Sequence, residues 1–451
     1  MESGDRLVSE TLDGVTALVL TSRLIPGVDG GYTVATLQRA RLLADAGARV
    51  RLLSVDPGTP GDHAAHREAF VAAGAAASVD AFRNLFDDAA ADPHWLIAAA
   101  TPGEATPGVA YREIPDAAGR PLLALPVISG DPDWHLTKAA VVVHASDGDR
   151  VLPGFGGLYR AWLDHVVAAL AQPVVLFCES RQLGELLATD PPREVRIVHT
   201  IHTTHLSAPY APDAPVNDLW RRWFAVADRF DAVVWPTAQQ RADAERRFGA
   251  HPGATVLPNA APVAVDEPAP IDPRRVVMLG RLAPGKRIDH AIRAWSRVVA
   301  AVPDARLEIW GDGALRDDLQ RLIDERGLAA SVTLEGRSDA GPALFDGAAL
   351  MVQTTAFEGQ GLAALEAMSR GVPVVSYDVR YGPRDQLGTG GGVLVPDGDE
   401  EAFADAVIEL LHDAAGRERA ARLALQRATD FAPSRIRDGL IALVRRILAP
   451  R

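Results

Sequence analysis

The chain has 451 residues, of which 48% are hydrophobic and 23% are charged, a balance typical of soluble globular proteins rather than disordered ones. At this length, two domains are expected. The formal net charge of −13 argues against broad nucleic-acid binding, which needs a basic surface.

Three sequence features bear on the cellular compartment. The single cysteine, Cys178, excludes an intrachain disulfide and is compatible with a reducing environment. The polar, acidic opening Met1–Arg6 is unlike a signal peptide. The longest apolar stretch, Val166–Cys178, is interrupted by Gln172-Pro173 and is too short to span a bilayer. We therefore predict a cytoplasmic protein without a transmembrane segment, with peripheral membrane contact left open.

The chain begins with a βαβ pattern. An apolar strand at Val15–Leu20 is followed by the glycine loop Asp29-Gly30-Gly31, a helical pattern at Thr33–Ala46 and a strand at Arg49–Val55. This order predicts a doubly wound parallel sheet. Short β-like runs among Pro and Gly turns then predict a strand-rich insertion at about residues 90–150.

Regular alternation resumes after the insertion, with a helix near Gly157–Leu170. The proline-punctuated run Ala260–Pro273 has the composition of a linker. Beyond it, apolar runs alternate with helices, as expected of parallel strands that are covered on both faces. We predict an α/β protein of two Rossmann-like domains facing a cleft. Residues 1–265 and 266–430 form the domains, and a helix at 431–451 packs back toward the N-terminal domain.

Two short segments, about 70 residues apart, carry most of the chemical information. The first, Gly280–Lys286, places the cations Arg281 and Lys286 on a turn between a strand and a helix. Positive charge and helix-start amides suit a diphosphate. The spacing also matches a phosphate-binding P-loop, but Arg287 stands where the metal-binding Ser or Thr is required. For an isolated pair of cations, solvated loop charges would be the simpler interpretation.

The second segment, Phe357–Glu366, runs from the end of a strand into a helix. Glu358 and Glu366 can accept hydrogen bonds from sugar hydroxyls. Gly359 and Gly361 let a ligand approach the backbone and helix-start amides. Ligands of open parallel sheets bind at the carboxyl ends of strands, where this segment lies. Together the two segments predict a nucleotide-sugar site.

Three histidines occur near the strand predicted at Val195–Ile201: His199, His202 and His205. Their spacing could suggest a metal site. They leave a strand rather than line one face of a helix, and no acidic motif of the zinc hydrolases accompanies them. We therefore expect no bound metal and no cofactor, and we expect His199 to face the core.

The combined motifs resemble the retaining glycosyltransferases of family 4, which have the GT-B fold. The resemblance covers residues 274 to about 415 and includes four further segments: Trp310–Gly313, Leu334–Arg337, Gly371–Val375 and Val395–Asp399. The run Ser376–Asp385 and the strand-rich insertion also resemble a subgroup that glycosylates wall teichoic acids and serine-rich adhesins, and that includes poly(glycerol-phosphate) alpha-glucosyltransferases.

The resemblance implies a role for each motif. Arg281, Lys286, Glu358 and His202 would act in catalysis. The two cations would bind the donor diphosphate, Glu358 would hold the transferred sugar, and His202 would reach the donor sugar from the N-terminal side. Glu366 would bind the ribose hydroxyls. The family usually has an aromatic residue at the position of Gln360, which leaves the sugar preference open. The Gly30-Gly31 loop resembles the family's loop under the diphosphate, and an ordinary βα turn is an equal interpretation of it. The implied donor-binding residues are Gly30, Gly31, Gly336, Arg337, Gly359, Gln360, Gly361, Leu362 and Glu366.

The implied reaction is retaining, metal-independent transfer of a hexose or N-acetylhexosamine from a UDP-linked sugar to an acceptor hydroxyl. The acceptor would be a cell-wall polymer, a protein serine or a small hydroxylated molecule. Two other functions stay open. A non-catalytic sugar-nucleotide-binding partner subunit is opposed by the intact motif residues, and a P-loop-like nucleotide hydrolase is opposed by Arg287. A homo-oligomer formed through the insertion is a further expectation.

Overall fold

A computed structural model describes residues 11–28, 30–116, 118–131 and 133–450. Two segments used in the sequence predictions, Met1–Arg6 and Asp29, lie outside this description. Among the described residues, no helix combines the length and the apolar character needed to cross a bilayer.

The strands fall into an N-terminal and a C-terminal series. The N-terminal series consists of β1 (Thr16–Thr21), β2 (Arg49–Ser54), β3 (Phe82–Asn84), β4 (Thr101–Pro102), β5 (Ala110–Pro115), β6 (Pro121–Val127), β7 (Val141–Ala145), β8 (Gly148–Leu152), β9 (Val174–Cys178), β10 (Val195–Thr200), β11 (Ala232–Trp235) and β12 (Ala254–Val256). The C-terminal series consists of β13 (Asp272–Leu279), β14 (Arg306–Trp310), β15 (Val332–Gly336), β16 (Ala348–Gln353), β17 (Val374–Tyr377) and β18 (Gly392–Val395).

Helices connect most of these strands and form the C-terminus. Those before β13 are α1 (Gly31–Asp45), α2 (Pro60–Ala72), α3 (Leu85–Ala91), α4 (His94–Ala99), α5 (Gly154–Ala168), α6 (Arg181–Thr189), α7 (Asp218–Phe224) and α8 (Ala238–Phe248). Those after it are α9 (Ile288–Ala301), α10 (Arg316–Glu325), α11 (Leu362–Ser369), α12 (Gly382–Leu387), α13 (Glu400–His412), α14 (Ala414–Ala428) and α15 (Pro433–Leu448).

Within the described residues, these strands form three sheets. The first is parallel, with the order β12-β11-β10-β9-β1-β2-β3. The second is also parallel, with the order β15-β14-β13-β16-β17-β18. The third, β4-β8-β7-β6-β5, is antiparallel and is the strand-rich insertion. The predicted α/β class is therefore confirmed.

Both parallel sheets are buried on their two faces, which explains their continuous apolar strands. In β1, Leu18 and Leu20 pack into one core, whereas Ala17 and Val19 pack into another on the opposite face. The insertion shares the first of these cores, through residues such as Leu123. The insertion is thus packed against the first sheet through a shared apolar core and does not form a separate unit.

The chain passes between the two parallel sheets twice, at adjacent points. It leaves the first sheet after β12 and returns to it between α14 and α15. Where the two crossings meet, the Ala261 amide donates a hydrogen bond to the carbonyl of Phe431 at 2.8 Å. After the return, α15 buries Leu440 and Val444 in the core that also contains Leu43 of α1. The C-terminal helix therefore packs on the N-terminal part of the chain.

Candidate active site

The two motif segments meet because their strands are neighbours in the second sheet. β13 pairs in parallel with β16, so the loops that follow them leave the sheet at the same edge. The Thr354 hydroxyl donates to the carbonyl of Arg287 at 2.7 Å, and the Ala356 amide donates to the carbonyl of Gly285 at 2.9 Å. These bonds hold together two loops that are distant in sequence.

This adjacency brings opposite charges together at the edge of the sheet. The Lys286 ammonium forms an ion pair with the Glu358 carboxylate; the Glu358 side chain is largely buried and that of Lys286 is partly buried. Arg281 is exposed, and its guanidinium makes no hydrogen bond or ion pair within the part of the chain that the structure describes. In this loop, Arg281 is therefore available to an anion, whereas Lys286 is held beside a carboxylate.

Glu366 lies on the first turns of α11. The residue before this helix, Gly361, has a left-handed backbone conformation with φ of +92°. Burial raises the pKa of Glu366 to about 7. Its carboxyl group makes no hydrogen bond or ion pair with any of the described residues. A largely buried acid without a partner is costly, so this position favours a ligand that donates hydrogen bonds to it.

Two helices begin opposite each other, one from each sheet. α1 begins at Gly31, after Gly30 with φ of +50°, and α11 begins at Leu362. A Cβ atom placed on Gly31 would lie 3.5 Å from Cδ1 of Leu362, which is ordinary van der Waals contact. Unpaired amides at helix N-termini attract anions. The N-termini of α1 and α11 therefore form a place that suits the diphosphate of the implied donor.

The loop that contains the implied donor-binding residues Gly336 and Arg337 also faces the first sheet. Gly336, the last residue of β15, has φ of +83°, and the exposed Arg337 follows it. The Arg337 guanidinium extends so close to Gly27 that a Cβ atom there would lie 2.8 Å from Nη1. Gly336 and Arg337 thus line the same gap between the sheets as the two helix starts.

The three histidines occupy three different environments. His199 is fully buried in the core, as expected, and burial lowers its pKa to about 3. His205 is also buried and stacks on the ring of Tyr381, and burial lowers its pKa to about 4. His202 instead lies on the loop facing the second sheet, with Nε2 2.5 Å from the Glu179 carboxylate. The structure thereby separates the three side chains instead of clustering them.

Sequence reasoning did not single out Glu179 or its ion-pair partner Arg39. Glu179 directly follows the apolar strand β9, and an acid at the carboxyl end of a parallel strand is a position where ligands and site residues gather. That signal was available. Arg39 carries no comparable signal, because a single cation within a helical pattern usually lies on the surface.

The segment after β17 connects the donor loop, Phe357–Gly361, to α8 in the N-terminal part of the chain. The Glu358 amide donates to the carbonyl of Arg380 at 2.9 Å, and the Tyr381 amide donates to the carbonyl of Glu358 at 2.8 Å. The Arg380 guanidinium forms an ion pair with the buried Asp243 of α8. The position of Glu358 is therefore linked to α8.

Gln360 uses its side chain to bind the linker. Its Oε1 accepts a hydrogen bond from the Asn259 amide at 2.7 Å, and its Nε2 donates to the Asn259 carbonyl at 3.1 Å. Gln38 of α1 binds Ala260 with the same two kinds of bond. The side chain of Gln360 thus ties the donor loop to the start of the linker, and a donor contact at this position would come from its backbone.

Gly359 faces the His202 loop at very short range. A Cβ atom on Gly359 would lie 2.3 Å from the carbonyl oxygen of His202, a distance at which one of the two loops must move. We expect Gly359→Ala to lower sugar-transfer turnover by about tenfold, because small misplacements at a reacting centre are costly. Donor affinity should change less than turnover, and steady-state kinetics with calorimetric titration measure both.

Gly61→Ala is the matched control for this substitution. Gly61 lies in α2, where an added Cβ would meet only the Thr59 hydroxyl, at 3.8 Å. This variant should keep full turnover. If Gly359→Ala also retained it, the two loops would not need their observed separation during the reaction.

Comparison with known proteins agrees with this geometry. Residues 265–427 match the family of glycosyl transferases group 1. The sequence is 30% identical over 225 residues to the poly(glycerol-phosphate) alpha-glucosyltransferase of Bacillus subtilis, covering 49% of this chain and 33% of that protein. It is 27% identical over 244 residues to the GtfA subunit of the UDP-N-acetylglucosamine–peptide N-acetylglucosaminyltransferase of Streptococcus gordonii, covering 51% and 48%. The chain thus spans less than half the length of these two curated relatives.

A solved structure extends the likeness to the whole fold. A mutant of S. aureus TarM, crystallised with UDP, alpha-GlcNAc-glycerol and Fondaparinux, superimposes with a TM-score of 0.73 at 17% identity, over 97% of this chain and 100% of that one. The GT-B architecture predicted from the motifs is therefore confirmed. Residues 265–427 thus match the family of glycosyl transferases group 1, within a chain that has the GT-B fold.

Proposed function

We propose that this protein is a retaining, metal-independent glycosyltransferase that uses a UDP-linked sugar. It transfers a hexose or N-acetylhexosamine to an acceptor hydroxyl. The observation that supports the proposal is an unpartnered, largely buried acid, Glu366, in the helix that directly follows the loop of Glu358, whose carboxylate pairs with Lys286. A nucleotide sugar supplies ribose hydroxyls that can donate to Glu366, a diphosphate that can pair with Lys286, and sugar hydroxyls that can donate to Glu358.

Donor binding would exchange the partners of the Lys286–Glu358 ion pair. The ammonium turns to the diphosphate, where Arg281 supplies a second cation, and the released Glu358 carboxylate accepts hydrogen bonds from the sugar. Each charged group that loses its partner gains one from the ligand, so no buried charge is left alone. A ligand that carries both an anion and hydroxyl groups fits this exchange better than either alone.

Transfer would proceed on one face of the sugar. The bond between the anomeric carbon and the leaving phosphate oxygen breaks, the bond to the acceptor oxygen forms on the same side, and the departing diphosphate takes the acceptor proton. Arg281, Lys286 and the N-termini of α1 and α11 stabilise the negative charge that develops on the diphosphate. Because these groups occupy the role that a divalent cation has in other transferases, a metal is not required.

The acceptor is proposed to be a cell-wall polymer, a protein serine or a small hydroxylated molecule. The names of the two relatives point to a glycerol-phosphate polymer and to a peptide. The net charge of −13 opposes the long-range approach of a polyanion, so a phosphate polymer would require a local basic surface. A cytoplasmic location belongs to the same proposal, since the single Cys178 needs no oxidising compartment.

The test is a panel of donors, UDP-glucose, UDP-N-acetylglucosamine and GDP-mannose, assayed for binding and hydrolysis in the presence of EDTA. Wild type is compared with Glu358→Ala and with Glu104→Ala, an exposed acid of the insertion. We expect metal-independent turnover of a UDP-sugar that is reduced in Glu358→Ala and unchanged in Glu104→Ala.

The other outcomes separate the alternatives. Binding without turnover, even after acceptors are added, would favour the non-catalytic partner subunit. Hydrolysis that depends on Mg²⁺ would favour a nucleotide hydrolase. A chain that binds none of the three donors would overturn the proposal.

A further inference from the structure

Glu179 is a buried charged side chain that the reaction proposed above does not use. It follows β9 at the carboxyl edge of the first sheet, and its side chain has no solvent exposure. Oε1 lies 2.9 Å from Nε of Arg39 and accepts a hydrogen bond from the Thr200 hydroxyl at 3.3 Å. Oε2 lies 2.5 Å from Nε2 of His202. Both oxygens of this acid are therefore occupied.

The surroundings of Glu179 keep it ionised. Burial by itself would raise the pKa of the carboxyl, but the Arg39 guanidinium and the His202 ring outweigh it, and the net pKa is lowered. An ionised carboxylate can only accept hydrogen bonds. The proton in the 2.5 Å contact therefore belongs to His202, whose Nε2 donates.

This bond leaves the second ring nitrogen of His202 for other use. Nδ1 makes no hydrogen bond within the described part of the chain. The ring is held on one side by the edge-on contact with Tyr32, at 4.9 Å between centroids, and Tyr32 is in turn bonded through its hydroxyl to Thr21 at 2.7 Å. The ring orientation is thus fixed from two directions.

The backbone of His202 lies against the donor loop, with its carbonyl at the position that a Gly359 side chain would occupy. The residue that carries the ring is therefore in the segment that faces the loop of Glu358. In a neutral ring with its proton on Nε2, Nδ1 can accept a hydrogen bond from a hydroxyl and has no proton to offer a phosphate oxygen.

We propose that Glu179 is a positioning residue, which holds His202 with its proton on Nε2 and so presents Nδ1 as a hydrogen-bond acceptor to a hydroxyl of the donor sugar. Hydroxyl recognition at this point rests on the proposed function, whereas the proton position is a property of the chain alone. In this proposal, Glu179 determines how His202 contacts the sugar, although the Glu179 carboxylate does not contact the sugar itself.

The first experiment reads the proton position directly. The protein is labelled with ¹⁵N-histidine, and the signals of His202 among the 12 histidines are assigned by their loss in His202→Gln. We expect a ring with the proton on Nε2 and with unprotonated Nδ1, in the absence of donor. A ring with its proton on Nδ1 alone, or on both nitrogens near neutral pH, would overturn the proposal.

The second experiment is a double-mutant cycle on turnover. Glu179→Gln should lower kcat/KM by at least about tenfold, the usual lower cost of removing an orienting partner, and should shift the proton populations of His202. In a His202→Ala background, the same substitution should cost nothing further. Equal losses in both backgrounds would mean that Glu179 acts on the fold rather than through His202, and would overturn the proposal.

Asp133→Asn controls for the loss of a buried charge. Asp133 is buried, pairs with Arg181 and Arg222, and should leave the His202 spectrum unchanged when substituted. The two proposals fail in different ways. A chain that binds no donor sinks the proposed transferase but leaves the spectroscopic result standing, whereas an active transferase with additive losses sinks only the role of Glu179.

Discussion

Replacing Lys286 by Ala should lower the turnover of sugar transfer by about 10²- to 10³-fold, the cost of removing one preorganised charge from a site where negative charge develops. The ammonium is held in the loop that follows β13 by its ion pair with Glu358. The substitution also leaves that largely buried carboxylate without its cation, which opposes binding of an anionic donor. Steady-state transfer rates and calorimetric donor titrations measure the two effects separately.

The composition of the chain supplies a direct control. The sequence contains only two lysines, Lys138 and Lys286, and Lys138 is exposed in the insertion. Lys138→Ala should retain wild-type turnover. Bound UDP-sugar should protect Lys286, but not Lys138, from acetylation by an amine-reactive reagent. Wild-type turnover in Lys286→Ala would remove this residue from the reaction.

Donor affinity should fall as the pH is lowered below about 7, by up to about tenfold per pH unit. The cause is Glu366, whose pKa burial raises to about 7. The ionised carboxylate can accept hydrogen bonds from both ribose hydroxyls, so bound donor stabilises that form and lowers its pKa. Binding in acid must therefore release a proton. Dissociation constants measured by calorimetry between about pH 5 and pH 8 give the slope.

Glu366→Gln is the matched variant, because an amide of the same shape does not titrate. Its donor affinity should be weaker than that of wild type at pH 8 and should lack this pH dependence, which separates Glu366 from any other group that titrates in this range. Equal slopes in the two proteins would contradict the assignment of the ribose to Glu366.

Glu366 should also affect the free energy of unfolding measured without donor. The pH dependence of its contribution should have the opposite sign to that of an ordinary paired carboxylate. The folded pKa of Glu366, about 7, lies above its ordinary value of 4.5. Ionisation therefore destabilises the fold, progressively as the pH rises from about 4.5 to about 7. Thermal unfolding should show Glu366→Gln becoming more stable relative to wild type across this window.

Much of the fold was predictable because the parallel strands are buried on both faces. β1, β13 and β16 stand out in the sequence as apolar runs, and the loops that follow them contain the charged and glycine residues of the site. The pairing of β13 with β16 then places Lys286 beside Glu358. Motif spacing thus predicted which residues would face a donor, although their roles remain predictions.

Other features depend on contacts between distant segments that no local pattern encodes. Arg39 and Glu179 are charged residues that composition would place on the surface, and they are buried because each neutralises the other. Gln360 departs from the aromatic expected in the family, and its reason is visible only in space, where its amide binds both backbone groups of Asn259. Such pairings follow from the tertiary arrangement rather than from periodicity.

The two adjacent crossings of the chain, joined by the bond from Ala261 to Phe431, restrict how the halves of the molecule can move. Two neighbouring tethers permit swinging about the line that joins them, but they oppose sliding of one half along the other. Opening can therefore widen the gap without changing which loops stand opposite each other. A hinge of this kind would bring Gly359 back to His202, and the start of α1 back to that of α11, whenever the halves closed. The two crossings would then align the site before a ligand binds.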